Sequence, residues 1–159
     1  MMKSFLSFLL LVPFSALAQT ELPYIQHDDF ASNAFGFKVT VSNFHKKYSH
    51  LNITTKPITN RYNKNITDTL YYFRDGKTNI EIYHAQPGDI LQSAFIASDK
   101  IVFRYNIKIG DTKVAVAKAL HAAINSDKVE VGDLEHGQVY TFTFAGGRLI
   151  SVSYEGYIE

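Results

Sequence analysis

Tyr140-Thr141-Phe142-Thr143-Phe144-Ala145-Gly146-Gly147-Arg148-Leu149-Ile150-Ser151-Val152-Ser153-Tyr154-Glu155 is the stretch that decides how this chain folds. Tyr140, Phe142 and Phe144 alternate with Thr141 and Thr143, and beyond the glycine pair Ile150, Val152 and Tyr154 alternate with Ser151, Ser153 and Glu155. A period of two sends successive side chains to opposite faces of an extended chain, and adjacent glycines supply the positive φ that a tight hairpin needs. The stretch therefore predicts a hairpin with one apolar and one polar face, as in antiparallel sheet solvated on one side.

Working back from it, Lys128 to Val131 reads as a short strand. Gly110-Asp111-Thr112 reads as a turn and helix cap, followed by a helical stripe of Val116, Ala117, Leu120, Ala123 and Ile124, so a helix is predicted from Thr112 to about Asn125. The N-terminal half repeats the order more loosely. Thr40 caps a stripe of Val41, Phe44, Tyr48 and Leu51, a polar stretch over 52–68 reads as a loop, and Thr69 to Arg74 and Asn79 to His84 form a hairpin turned at Asp75-Gly76. A shift of about 72 residues lays Phe44 on Val116 and Tyr48 on Leu120. Asp89 to Ser98 and Ile101 to Ile109 read as linking strands. The fold class expected is α+β, with two helix-plus-antiparallel-meander repeats forming one sheet and both helices on one face. Its parts are repeat one at about 30–88, linking strands at 89–106 and repeat two at about 107–159.

The N-terminus carries an address. Met1-Met2-Lys3-Ser4, an apolar run from Phe5 to Phe14 and Ala16-Leu17-Ala18 match a signal peptide over residues 1–18, which leaves one 141-residue α+β domain at 19–159. The expected location is outside the cytoplasm, periplasmic or extracellular, and the expectation is no transmembrane segment once the leader is cleaved. The whole chain lacks Cys, which excludes disulfides, thiol catalysis and a lipid-bearing cysteine. Without Lys3, fifteen Lys and Arg face fifteen Asp and Glu. Nucleic acid is therefore not an expected partner, because affinity for it is largely electrostatic. Twelve Phe and ten Tyr supply the packing.

Ile107-Lys108-Ile109-Gly110-Asp111-Thr112-Lys113, Val116 and Leu120, together with Tyr140 through Ile150, resemble the helix-plus-sheet repeat of the beta-lactamase inhibitory protein and SmpA/OmlA superfamily. The closest likeness is to uncharacterised secreted bacterial proteins built from two such units. Gly110-Asp111-Thr112 stands where the family has Gly-Met-Thr, and the lipoprotein cysteine of SmpA/OmlA is missing. The resemblance implies protein binding through an exposed sheet face and loops, without catalysis.

The residues themselves offer little chemistry. The chain has no Gly-x-Ser-x-Gly, no His-Glu-x-x-His, no phosphate loop and no dinucleotide fingerprint. His27-Asp28-Asp29 has the donor types of a divalent-cation site, but three consecutive side chains rarely converge on one ion. No metal, no cofactor and no catalytic residue is assigned. Two surfaces remain. Alternation turns Tyr72, Arg74, Glu81 and Tyr83 of the first hairpin and Thr141, Thr143, Ser151, Ser153, Glu155 and Tyr157 of the second away from the helices, while Tyr71, Phe73, Ile80, Ile82, Tyr140, Phe142, Phe144, Ile150, Val152 and Tyr154 face them. Arg61 and Tyr62 occupy the polar stretch. Tyr and Arg desolvate well at interface centres. The binding surface expected is thus Tyr72, Arg74, Glu81, Tyr83, Thr141 and Ser151, with Arg61 and Tyr62 beside it, on an exported non-enzymatic protein-binding module that serves inhibition or envelope assembly. Behind it stand a periplasmic peptide- or small-ligand-binding protein and a small hydrolase with a dispersed site. The expected partner is another exported or envelope protein. Intact mass of natively exported protein should show a start at Gln19 or within a few residues, and recovery of Met1 in the cytoplasm would contradict the leader.

Overall fold

The computed structural model describes residues 21–156, so the leader, Gln19 and Tyr157 lie outside the described residues. Within them one sheet contains β1 (Tyr24–Gln26), β2 (Asn52–Thr59), β3 (Thr67–Arg74), β4 (Thr78–Ala85), β5 (Gly88–Ile96), β6 (Lys128–Gly132), β7 (Val139–Ala145) and β8 (Arg148–Glu155). Their order across the sheet is β1-β6-β7-β8-β5-β4-β3-β2. All neighbours are antiparallel except β1 and β6, which run parallel. Helices are short: α1 (Asp28–Ala31), α2 (Val41–Lys47) and α3 (Lys113–Ala119).

This corrects the two-repeat architecture. The described residues form one mixed eight-stranded sheet, not a pair of helix-plus-meander units with a helical layer on one face. Each longer helix has seven residues, about two turns, and α1 has four. Thr112 and Thr40 do cap, their hydroxyls accepting from the Ala115 and Asn43 amides at 3.2 and 3.1 Å. The helix expected to reach Asn125 stops at Ala119, however. His121 takes a left-handed φ of 50°, the His121 amide donates to the Lys118 carbonyl and the Ala122 amide to the Ala117 carbonyl. That pair of bonds closes a helix and is usually built on glycine, so a histidine there left no mark in the sequence pattern.

Two further elements differ. The 52–68 stretch is not a loop, because Asn52–Thr59 forms the edge strand β2 and pairs with β3 along its whole length, Asn52 opposite Arg74 and Thr59 opposite Thr67. An edge strand borders solvent and needs few apolar residues. Five of its eight are β-branched, and Pro57 is tolerated where an unpaired N–H would otherwise point to water. The 101–109 stretch, expected as a strand, folds back on itself. Tyr105 and Asn106 have φ of 61° and 59°, the Phe103 amide donates to the Ile107 carbonyl at 2.8 Å, and Val102 bridges to Lys108.

Cover for the inner face comes from these irregular segments as much as from the helices. Phe30 packs on Tyr140 and Phe142, Phe44 on Phe73, and Phe35 joins Phe44 to Phe103, with ring centroids 5.1 to 5.6 Å apart. Ile80, Ile82, Ile96, Val129, Val131, Leu149 and Val152 are buried beneath them. The hairpin β7–β8 turns at Gly146 and Gly147, whose φ of 56° and 74° fit the mirror-image turn that matches strand twist. Tyr24 anchors β1 to the sheet by crossing Gly132, where its hydroxyl leaves no room for a Cβ.

Facing follows alternation except at two bulges. Between Thr143 and Phe144 the register with β8 slips, so Leu149 is buried and Ile150, expected inside, is 45% exposed. Tyr71 is half-buried beside the edge. Phe142 and Leu120 are buried to 0% and 2% exposure. Either changed to Ala should lower unfolding stability by about 2 to 5 kcal/mol in urea denaturation, against well under about 1 kcal/mol for Thr141→Ala on the other face.

Candidate functional site

Asp68 and Leu70 are buried at one end of the sheet's outer face, but from Tyr72 toward β6 no helix or loop of the described residues covers it, and the register shows what it displays. One row runs Thr54, Tyr72, Glu81, Ser93 and Glu155 across β2, β3, β4, β5 and β8. The next runs Asn52, Arg74, Asn79, Phe95, Ser153, Thr141 and Glu130. Thr143 and Ser151 face each other beyond Thr141 and Ser153. Thr141, Ser151, Tyr72, Arg74, Glu81 and Tyr83 therefore share one face.

In the first hairpin the large side chains are already organised. The Arg74 guanidinium lies 4.4 Å from the Tyr72 ring centroid, its Nε donates to Asn79 Oδ1 at 2.7 Å, and Asn79 Nδ2 donates to Glu81 Oε1 at 3.4 Å. Phe95, opposite Asn79, is 50% exposed. Sequence reasoning left Phe95 without a facing, although the same alternation that turned Glu81 outward assigns it once Glu81 is paired with Ser93. Toward β6 the face becomes a shallow trough of about 330 Å³, lined by Lys128, Glu130, Thr141, Ser153 and Glu155. Small hydroxyl side chains form its centre.

Tyr83 belongs to a different structure. Its hydroxyl donates to Asp68, a carboxylate 4% exposed, which also accepts from Asn60 Nδ2 at 2.6 Å. That bond raises the Tyr83 pKa, with burial adding to it, so the phenol stays a donor. Asn60 uses its other atom, Oδ1, to accept from the Tyr62 and Asn63 amides at 2.9 and 2.8 Å, and Asn63 Oδ1 accepts from Asn65 at 3.0 Å. Arg61 and Tyr62 thus sit on a hydrogen-bonded turn between β2 and β3, with Tyr62 82% exposed at its tip. The turn is continuous with the sheet edge rather than with the Tyr72 and Arg74 pair.

The polar clusters noted in the sequence disperse. His27 Nδ1 accepts from the Phe30 amide at 3.3 Å, Asp28 accepts from the Leu134 amide at 2.9 Å, and Asp29 pairs with Arg104 at 3.5 Å. His84 Nδ1 meets Asp89 Oδ1 at 2.5 Å, while Asp89 Oδ2 accepts from the Val41 amide at 2.7 Å, holding the start of α2 to the β4–β5 turn. Among the described residues no group of three His, Asp or Glu converges as metal ligands would. None of their helices is long and apolar enough to cross a membrane, which says nothing of strands.

No protein-family model, no curated protein and no solved structure matches the chain. The resemblance of residues 107–150 rests on those residues alone.

Because Tyr83 and Asn60 share the work of satisfying a buried carboxylate, Tyr83→Phe should destabilise by about 1 to 3 kcal/mol in chemical denaturation. Tyr72→Phe, whose hydroxyl has no such task, should stay within about 0.5 kcal/mol of the parent.

Proposed function

We propose that the protein is an exported, non-enzymatic module that binds another exported or envelope protein through the outer face of its sheet. The observation that carries this reading is the uncovered row in which Phe95 stands half exposed beside the Arg74–Tyr72 stack. Aromatic and arginine side chains dominate binding energy where they are desolvated, and a stack already formed in the free protein loses little rotamer freedom on association. The Ser and Thr trough beside it offers close approach and hydrogen bonds without bulk. Such a surface serves inhibition or assembly equally, and the leader supports a partner met outside the cytoplasm.

Affinity capture with the tagged mature chain, followed by quantitative binding of the captured partner, tests the reading. Tyr72→Ala and Phe95→Ala should each weaken binding by at least about 1 kcal/mol with little change in folding midpoint. Unchanged affinity in both, with loss on replacing Arg61 and Tyr62, would move the interface to the β2–β3 turn. Tyr83 is unsuitable as a probe, since its replacement disturbs Asp68.

A further inference from the structure

At the end of the sheet where β5 begins and β8 stops, a cleft of about 520 Å³ opens between the 32–39 segment and the inner face. That volume is in the range that encloses a small organic molecule. Phe35, Phe37, Val39 and Leu91 give it apolar walls, and Tyr140 and Tyr154 line it with ring centroids 4.7 Å apart. Polar atoms of three of its residues are idle. Asn33, also in the lining, has a buried Oδ1 without a hydrogen-bond partner, and among the described residues neither tyrosine hydroxyl is hydrogen-bonded. A buried polar atom with no partner is uncommon enough to need a reason.

The charged groups at the cleft do not select a charge. Lys38 contributes a cation and Asp89 an anion, and the Asp89 carboxylate is already engaged by the Val41 amide and His84. Lys38 and Gln138 are exposed and stay hydrated, so the unpartnered groups on the sheltered side of the cleft are one acceptor, Asn33 Oδ1, and two phenols. Burial raises the pKa of both phenols, with Asp133 adding to the effect at Tyr154 and Tyr154 to that at Tyr140, so both stay protonated and able to donate at neutral pH. An occupant that satisfies all three must give one hydrogen bond and accept others.

We propose that this cleft binds a small uncharged amphipathic molecule, an aromatic or branched aliphatic body bearing a primary amide or hydroxyl head, with Asn33, Tyr140 and Tyr154 holding the head and Phe35, Phe37 and Leu91 the body. Tyr140 and Tyr154 are on the face of the sheet opposite Tyr72, Arg74 and Phe95, so the site is independent of the proposed protein interface. The 32–39 segment entered the sequence reading only as the approach to α2, and no periodicity marks it.

Nuclear magnetic resonance titration of the purified protein with four probes tests the proposal: benzamide, benzyl alcohol, toluene and benzoate. Benzamide and benzyl alcohol should shift resonances of Asn33, Leu91 and Tyr140 to saturation and bind more tightly than toluene or benzoate. Tyr140→Phe and Tyr154→Phe keep the rings and should weaken benzamide roughly three- to tenfold, the effect of one lost hydrogen bond, while leaving toluene unchanged. Absence of cleft shifts with both polar probes would overturn the proposal. So would toluene binding as well as benzamide, which marks an apolar void, or a preference for benzoate, which marks an anion site. The order of the four probes on the unaltered protein decides the matter even if a variant folds poorly.

Discussion

Burial of aromatic rings against a single face of the sheet is the contact on which the rest of this molecule depends. Phe73, Phe44, Phe35, Phe103, Phe142, Phe30 and Tyr140 form a continuous seam from β3 to β7, each ring within 6.4 Å of the next. Full burial of each such side chain is worth about 1.5 to 3 kcal/mol, so the seam supplies a large part of the driving force that a chain without disulfides must find in packing. It also explains how two-turn helices suffice. Phe30, Phe35 and Phe103 stand in or beside one-turn and irregular segments, and those segments cover the sheet between α2 and α3.

Because that supply is spent on one face, the other stays open, and the open face carries the proposed function. Two bulges fine-tune what it shows. The slip at β7–β8 exposes Ile150, and the slip between Glu81 and Ile82 in the pairing of β4 with β5 keeps Leu91 inside while Phe95 points out. Pro57 and Lys56 on the β2 edge disfavour pairing with another strand, so recognition through side chains on the face is better supported than strand addition at the edge.

Much of the strand content was legible, and for a physical reason. Tyr140 to Glu155 and Thr69 to His84 alternate strongly because one face is buried and the other wet, so their hairpins and facing could be read directly. Elements whose stabilisation comes from elsewhere were not legible. β2 is held by β3 and needs no apolar face of its own; β1 has three residues and depends on Tyr24 crossing Gly132; α3 ends at a histidine in a glycine's conformation. The apparent repeat misled because caps and hairpins recur in any α+β chain, whereas strand number and pairing differ between the halves. Of the candidate surface, Tyr72, Arg74 and Glu81 emerged as neighbours by alternation alone. Tyr83 shares that face, but its bond to Asp68 could not be read, because Asp68 lay in a stretch read as loop.

One face of this sheet is sealed by aromatic packing, and the other is open to solvent among the described residues. Hydroxyl-radical footprinting of the free protein, read residue by residue by mass spectrometry, measures this directly. Tyr72 and Phe95 should be oxidised rapidly while Phe30, Phe44, Phe73 and Phe142 remain protected until the protein unfolds. Equal oxidation of Phe73 and Phe95, or protection of Phe95 in the free protein, would contradict the account.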